Sequence, residues 1–138
     1  QQVFVNSFSD VGLASQAAQT QISSGADVLA GTSQNMVGAI SVAKDKNVLW
    51  FGNDVDQSSL APTIVVGSQV YDWTIAIKGM MADIANGKLG AEIFTLTLKK
   101  GGLKMVYNPA YKIPDDVKAL ADTTVKGIID GTITTGVQ

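Results

Sequence analysis

Neither cysteine nor histidine occurs anywhere in the 138 residues. Without cysteine there is no disulfide, no thiol nucleophile and no thiolate metal site. Without histidine the commonest general base, the Ser-His-Asp arrangement and the usual zinc ligands drop out together. Charge is sparse too: 16% of residues carry it, the net is −2, and no basic run exceeds the Lys99–Lys100 pair. That excludes a nucleic-acid footprint and a polybasic membrane patch, leaving a small uncharged molecule or another protein as partner. No apolar run approaches the length of a membrane span, and no signal-peptide pattern is present. The chain opens on Gln1-Gln2 without Met, so it is expected to be a processed or truncated piece.

What is present suits one globular domain, since 46% of the residues are hydrophobic and the length allows a real core. "VFVNSF" reads as a short buried strand. Ser9 or Asp10 then caps a helix bearing Leu13, Ala17, Ala18 and Ile22 that ends at Gly25. "ADVLA" (26–30) is the next strand. "MVGAISVAKDK" is a second helix with Val37, Ile40 and Ala43 inward, and "VLWFG" (48–52) is a third strand. "TIVVGS" (63–68) makes a fourth, followed by a helix from about Asp72 to Asn86 with Ile75, Ala76, Met80 and Ile84 on one side. The strands are continuous apolar runs, so both faces need cover, as in a parallel sheet flanked by helices.

The last third changes character. "AEIFTLTL" and "LKMVY" read as strands joined by a Gly-Gly hairpin. "YNPAYKIPDD" crosses over, Pro114 opens a helix through Val117, Leu120, Val125 and Ile128 to Gly131, and "TITTGV" closes as a strand.

In a doubly wound sheet ligands bind beyond the carboxyl ends of the strands. Polar residues follow each of the four expected strands there: Ser7 to Asp10, Gly31 to Asn35, Asn53 to Gln57 and Ser68 to Asp72. They supply hydroxyls, amides, carboxylates and aromatic faces but no activated nucleophile, so no catalytic residue is expected. Asp54 comes directly off its strand and can accept two hydrogen bonds from a diol or amine, at about 1.5–3 kcal/mol each; alternatively it caps a local turn. Asp56 reads as a turn-maker holding Gln57 and Ser58. Phe8 either packs under the first helix or stacks on a planar ligand. Tyr71 is the pocket candidate of its pair, with Trp73 in the core. "DVDQSSLAP" begins like a calcium loop but has neither its central glycine nor its terminal glutamate, so no metal and no cofactor is expected.

The order "VFVNSFSD…GADVLAGTSQN…VAKDKNVLWFGNDVDQSSLAP…LKKGGLKMVYNPAYKIPDDV…GIIDGTI" resembles the carboxyl-terminal half of the basic membrane protein family. These are substrate-binding lipoproteins of ABC transporters with the type I periplasmic-binding-protein fold, related to purine nucleoside receptors. The resemblance implies an α/β ligand-binding lobe over 1–107, and a crossing segment, terminal helix and strand over 108–138 that reach toward an amino-terminal lobe outside these residues. It implies an extracytoplasmic location, with a lipid on an upstream cysteine as the membrane tether and an ABC permease as partner. By position it makes Phe8 the stacking aromatic and Asp54 the ribose grip, and puts Thr32, Ser33 and Gln34 beside the base. Where nucleoside-binding members resemble "TSVVKN", this chain has "GSQVYD" with Tyr71 in the lysine's place, which brings a free nucleobase in beside a nucleoside as ligand. Two other readings stand against a transporter's binding component. One is a sensor of the same fold. The other is a nucleoside-processing enzyme, which would need a denser aspartate cluster.

Overall fold

The computed structural model describes residues 1–90 and 92–136. Its elements are α1 (Val11–Ser23), β1 (Val28–Ala30), α2 (Met36–Asp45), β2 (Leu49–Asp54), β3 (Val65–Tyr71), α3 (Thr74–Ala85), β4 (Leu103–Tyr107) and α4 (Asp115–Asp130). The strands form one sheet in the order β1-β2-β3-β4. The β1–β2 and β2–β3 pairs are parallel, with Val28 opposite Leu49 and Asn53 opposite Gln69. Asn108 N–H donates to Val66 O and Asp72 N–H to Gly102 O. One strand therefore descends as the other rises, and β4 runs antiparallel to β3. The expected α/β architecture, a mainly parallel sheet flanked by helices, is present.

The contacts divide the chain into two compact units, Gln1–Val70 with Met105–Lys112 and Tyr71–Lys104 with Ile113–Gln138.

In the first unit Asp10 accepts from Leu13 N–H at 3.0 Å, an N-cap that sets where α1 begins. α1 and α2 pack tightly because position 38 is glycine; a Cβ there would lie 2.3 Å from Val11 O and 2.6 Å from Ser15 Oγ. Ala14, Ala18, Ile40 and Ala43 from these helices meet Leu29, Trp50, Ile64 and Val65 in one apolar core. In the second unit the helix boundaries also follow the sequence. Asp115 and Asp116 lie in the first turn of α4 after Pro114, favourably placed for its dipole, and Gly131 ends it at φ 79°. Thr132 N–H then donates to Gly127 O at 2.9 Å, closing the helix end.

Three expected strands are not formed. Val3–Phe8 pairs with no strand, since β1 is bonded directly to β2 and Asn6, at φ 52°, breaks the extended run. Residues 92–98 are irregular, although the turn that follows is as expected, with Leu103 N–H bonded to Thr97 O; Ala91, where that strand was to begin, lies outside the described residues. Residues 132–136 are irregular because Thr132 and Ile133 fold back on Gly127. Val137, the end of that expected strand, also lies outside the described residues. Val37, expected to face inward, is exposed, as are Leu13, Ile75, Met80, Ile84, Val117 and Leu120.

Candidate ligand-binding site

The first unit carries an open cavity of about 960 Å³, within the size range of small-molecule sites. Its walls are residues 1–8, the small side chains of α1 (Ala14, Ala17, Ala18), the loop Gly31–Ser33, and the strand ends Trp50–Asn53 and Gln69. The alanines leave the room, since larger residues at these positions would fill it. Among the described residues no acidic or lysine side chain lines the cavity; its polar groups are carboxamides, among them Asn53 and Gln69, and the hydroxyls of Ser7, Thr32 and Ser33. Such a lining offers neutral donors and acceptors beside apolar surface, and suits an uncharged solute.

Of the six residues singled out from sequence, Phe8, Thr32 and Ser33 line this cavity, while Gln34, Asp54 and Tyr71 do not. Phe8 is 78% exposed, so it is not packed under α1. Asp54 is exposed at the end of β2, beside cavity-lining Asn53, in a left-handed conformation (φ 71°) that non-glycine residues other than Asn and Asp seldom adopt. Its carboxylate makes no hydrogen bond or ion pair among the described residues. Asp56 differs: its carboxylate accepts from Ser58 N–H at 2.9 Å and Ser58 Oγ at 2.6 Å, and these bonds, the hydroxyl's first, hold its pKa below the ordinary carboxylate value. The expected hold on Ser58 is there, whereas Gln57 is held elsewhere.

Gln57 belongs to a buried network absent from the sequence reading. Trp50 Nε1 donates to Gln57 Oε1 at 2.7 Å, Gln57 Nε2 donates to Asn53 O at 3.2 Å, and Gln57 N–H donates to Ser68 Oγ at 3.1 Å. A tryptophan in an apolar strand needs an acceptor for its indole N–H when buried, which is the signal that could have paired it with the amide seven residues on. The loop after β2 is thereby tied to β2 and β3.

In the second unit Tyr71 and Trp73 form a tilted aromatic pair with centroids 5.7 Å apart. Trp73, expected in the core, is 61% exposed. Between them Asp72 accepts from Lys104 Nζ at 2.9 Å and from Thr74 N–H at 3.1 Å; the lysine above all lowers its pKa.

Asn35 is a second residue whose role the sequence hid. At the start of α2 an asparagine ordinarily caps its own helix, but this side chain makes no such bond. It is fully buried; its Nδ2 donates to Ser7 O at 2.8 Å and Asp10 O at 3.3 Å, its Oδ1 accepts from Ser33 Oγ, and its N–H donates to Phe8 O at 3.1 Å. One residue thus ties the Phe8 loop to the Thr32–Ser33 loop. Asn35→Ala is expected to lower unfolding free energy by about 1–3 kcal/mol, as a fully buried side chain and the hydrogen bonds it makes to two loops are lost. Urea unfolding of the variant against wild type checks this, and an unchanged midpoint would show that the staple contributes nothing.

Relatives agree with this architecture. The model of the PnrA-like ABC transporter substrate-binding protein family (Bmp) matches residues 1–135. A purine-binding protein of Brucella abortus (strain 2308) is 30% identical over 129 residues, which is 94% of this chain and 36% of that protein. The crystal structure of a transcriptional activator of the comK gene from Bacillus halodurans superposes with TM-score 0.81 at 17% identity, over 96% of this chain and 47% of that one. An ABC transporter solute-binding protein from Conexibacter woesei gives 0.71 at 20% identity, over 97% and 45%. The chain thus spans about a third of the curated relative and somewhat under half of these solved structures. With a family match over nearly its whole length, the chain belongs to the PnrA-like substrate-binding proteins of ABC transporters.

Proposed function

We propose that the chain is part of the solute-binding component of an ABC transporter, and that the solute is a neutral, flat nitrogen heterocycle, a nucleoside or free nucleobase. The observation that carries the reading is the cavity of the first unit, which has no charged side chain in its lining but sets an aromatic ring, hydroxyls and carboxamides together. The purine-binding relative from Brucella abortus supports the same solute class. In this reading Phe8 stacks on the ring, Thr32, Ser33 and Gln34 border it, and Asp54 grips the hydroxyls of an attached sugar. The protein works outside the cytoplasm, tethered by a lipid, and hands its solute to a permease without transforming it.

Mass spectrometry of the solute released by denaturing the natively purified full-length protein tests this. A purine base or nucleoside is the expected result; a sugar or an amino acid sinks the reading. Sensing without transport is the second reading, favoured by the structural likeness to the comK activator. A strain lacking the permease separates the two: purine uptake collapses under the first, and only transcription responds under the second.

A further inference from the structure

The parallel register places Asn53 of β2 directly opposite Gln69 of β3. Paired residues on parallel strands lie about 4.8 Å apart and project from the same sheet face, and both of these line the cavity. Asn53 Oδ1 is buried with no hydrogen-bond partner, which leaves the cost of its lost hydration uncompensated. The side chain of Gln69 has no partner among the described residues either. Two residues earlier on β2, about 6.6 Å along the strand and on the same face, Phe51 also lines the cavity with its ring partly exposed.

We infer that Asn53 and Gln69 form a carboxamide pair that reads the hydrogen-bonding edge of the bound heterocycle and so decides which base is accepted. This deepens the proposed function and rests on it. Each carboxamide carries one acceptor oxygen and two N–H donors. Side by side they match a ring edge on which a donor and an acceptor are neighbours, as the amino group and ring nitrogens of adenine are, or the carbonyl and N–H of hypoxanthine. A small turn of the Asn53 side chain brings Oδ1 to a ligand N–H, and the uncompensated oxygen gains its partner. A site that hydrogen-bonds such an edge rejects a bicycle of the same shape lacking those groups, because the amides are then left unpaired.

The test is calorimetric titration of the full-length protein with adenine, hypoxanthine and benzimidazole, the last having the bicyclic shape without the edge groups. Asn53→Leu and Gln69→Met keep side-chain size and remove the amides; Asn53→Asp keeps the acceptor and covers the case in which Asn53→Leu fails to fold. Each apolar variant is expected to lose about 10- to 100-fold in affinity for the preferred purine base, with benzimidazole binding changed less than about 3-fold on the same scale of effects. Asn53→Asp is expected to retain more affinity for adenine, which donates, than for bases that only accept at that point. If wild type binds the purines and the variants bind them equally well, or if benzimidazole binding falls as far as purine binding, the amide pair does not read the base and the proposed function stands. If wild type binds none of the purines, both fall.

Discussion

Trp50→Ala is expected to lower the unfolding free energy by about 3–5 kcal/mol, the cost of deleting a large buried aromatic from a packed core. Trp50 is 1% exposed and heads the fully buried side chains by size among the described residues. Its ring also reaches beneath the Gly31 loop, where a Cβ at position 31 would sit 3.3 Å from Cη2. Alanine there opens a void and strips Gln57 Oε1 of the donor it holds at 2.7 Å. Trp50→Phe separates the two effects, since it keeps most of the ring and loses only the N–H; it is expected to cost about 1–3 kcal/mol. Urea unfolding followed by far-ultraviolet circular dichroism measures both. A phenylalanine variant as stable as wild type would mean the network around Gln57 contributes no stability, and an alanine variant costing under about 1 kcal/mol would mean the core collapses around the gap.

Helix boundaries were legible in the sequence because they are set locally. Asp10 caps α1 through its own side chain, and Pro114 and Gly131 bracket α4 by their backbone preferences. Strands require a partner, and the sequence does not say which. Val3–Phe8 has the composition of a strand, yet β1 pairs with β2 and leaves it outside the ladder. Burial fails as a reading for the same reason. On α3 only Ala76 is buried, because the helix is apolar on several sides; within its unit Phe94 closes over Gly79, where a Cβ would lie 2.3 Å from the ring, and Ile77, Met81 and Ile84 stay exposed.

The site divides along a similar line. Thr32 and Ser33 could be placed by the rule that ligands sit beyond strand ends, whereas Phe8 follows no formed strand and was placed by the family resemblance; all three line the cavity. Asn35 could not, because its side-chain amide donates to carbonyls 25 and 28 residues away, and Gln57 was legible only through Trp50, whose buried indole N–H needs an acceptor. Asn53 and Gln69 were visible as polar residues at strand ends, but their pairing depends on a register that shifts between Trp50 and Phe51, and such an irregularity re-aims every residue after it.

Asp54 and Asp56 stand one residue apart and are expected to respond to substitution in opposite ways. Asp54 is exposed, holds a left-handed backbone, and leaves its carboxylate without a partner among the described residues, whereas Asp56 uses its carboxylate to fix Ser58. In the proposed function Asp54 grips the sugar hydroxyls of a nucleoside, so Asp54→Ala in the full-length protein is expected to cost about 2–4 kcal/mol of binding through lost charge-assisted hydrogen bonds. Alanine also tolerates φ 71° poorly, which is expected to cost about 1 kcal/mol of stability. Asp54→Asn avoids that strain, since asparagine accepts the left-handed region, and isolates the charge. Asp56→Ala is expected to lower thermal stability with a smaller loss of affinity. Titrating each variant with inosine and with hypoxanthine identifies what Asp54 touches: loss confined to inosine places it at the sugar, and equal loss for both places it at the base. Binding unchanged in Asp54→Asn and Asp54→Ala removes Asp54 from the site altogether. A melting temperature that rises with added calcium in wild type but not in Asp54→Ala would instead make the carboxylate a metal ligand, and the sugar-grip assignment would be wrong.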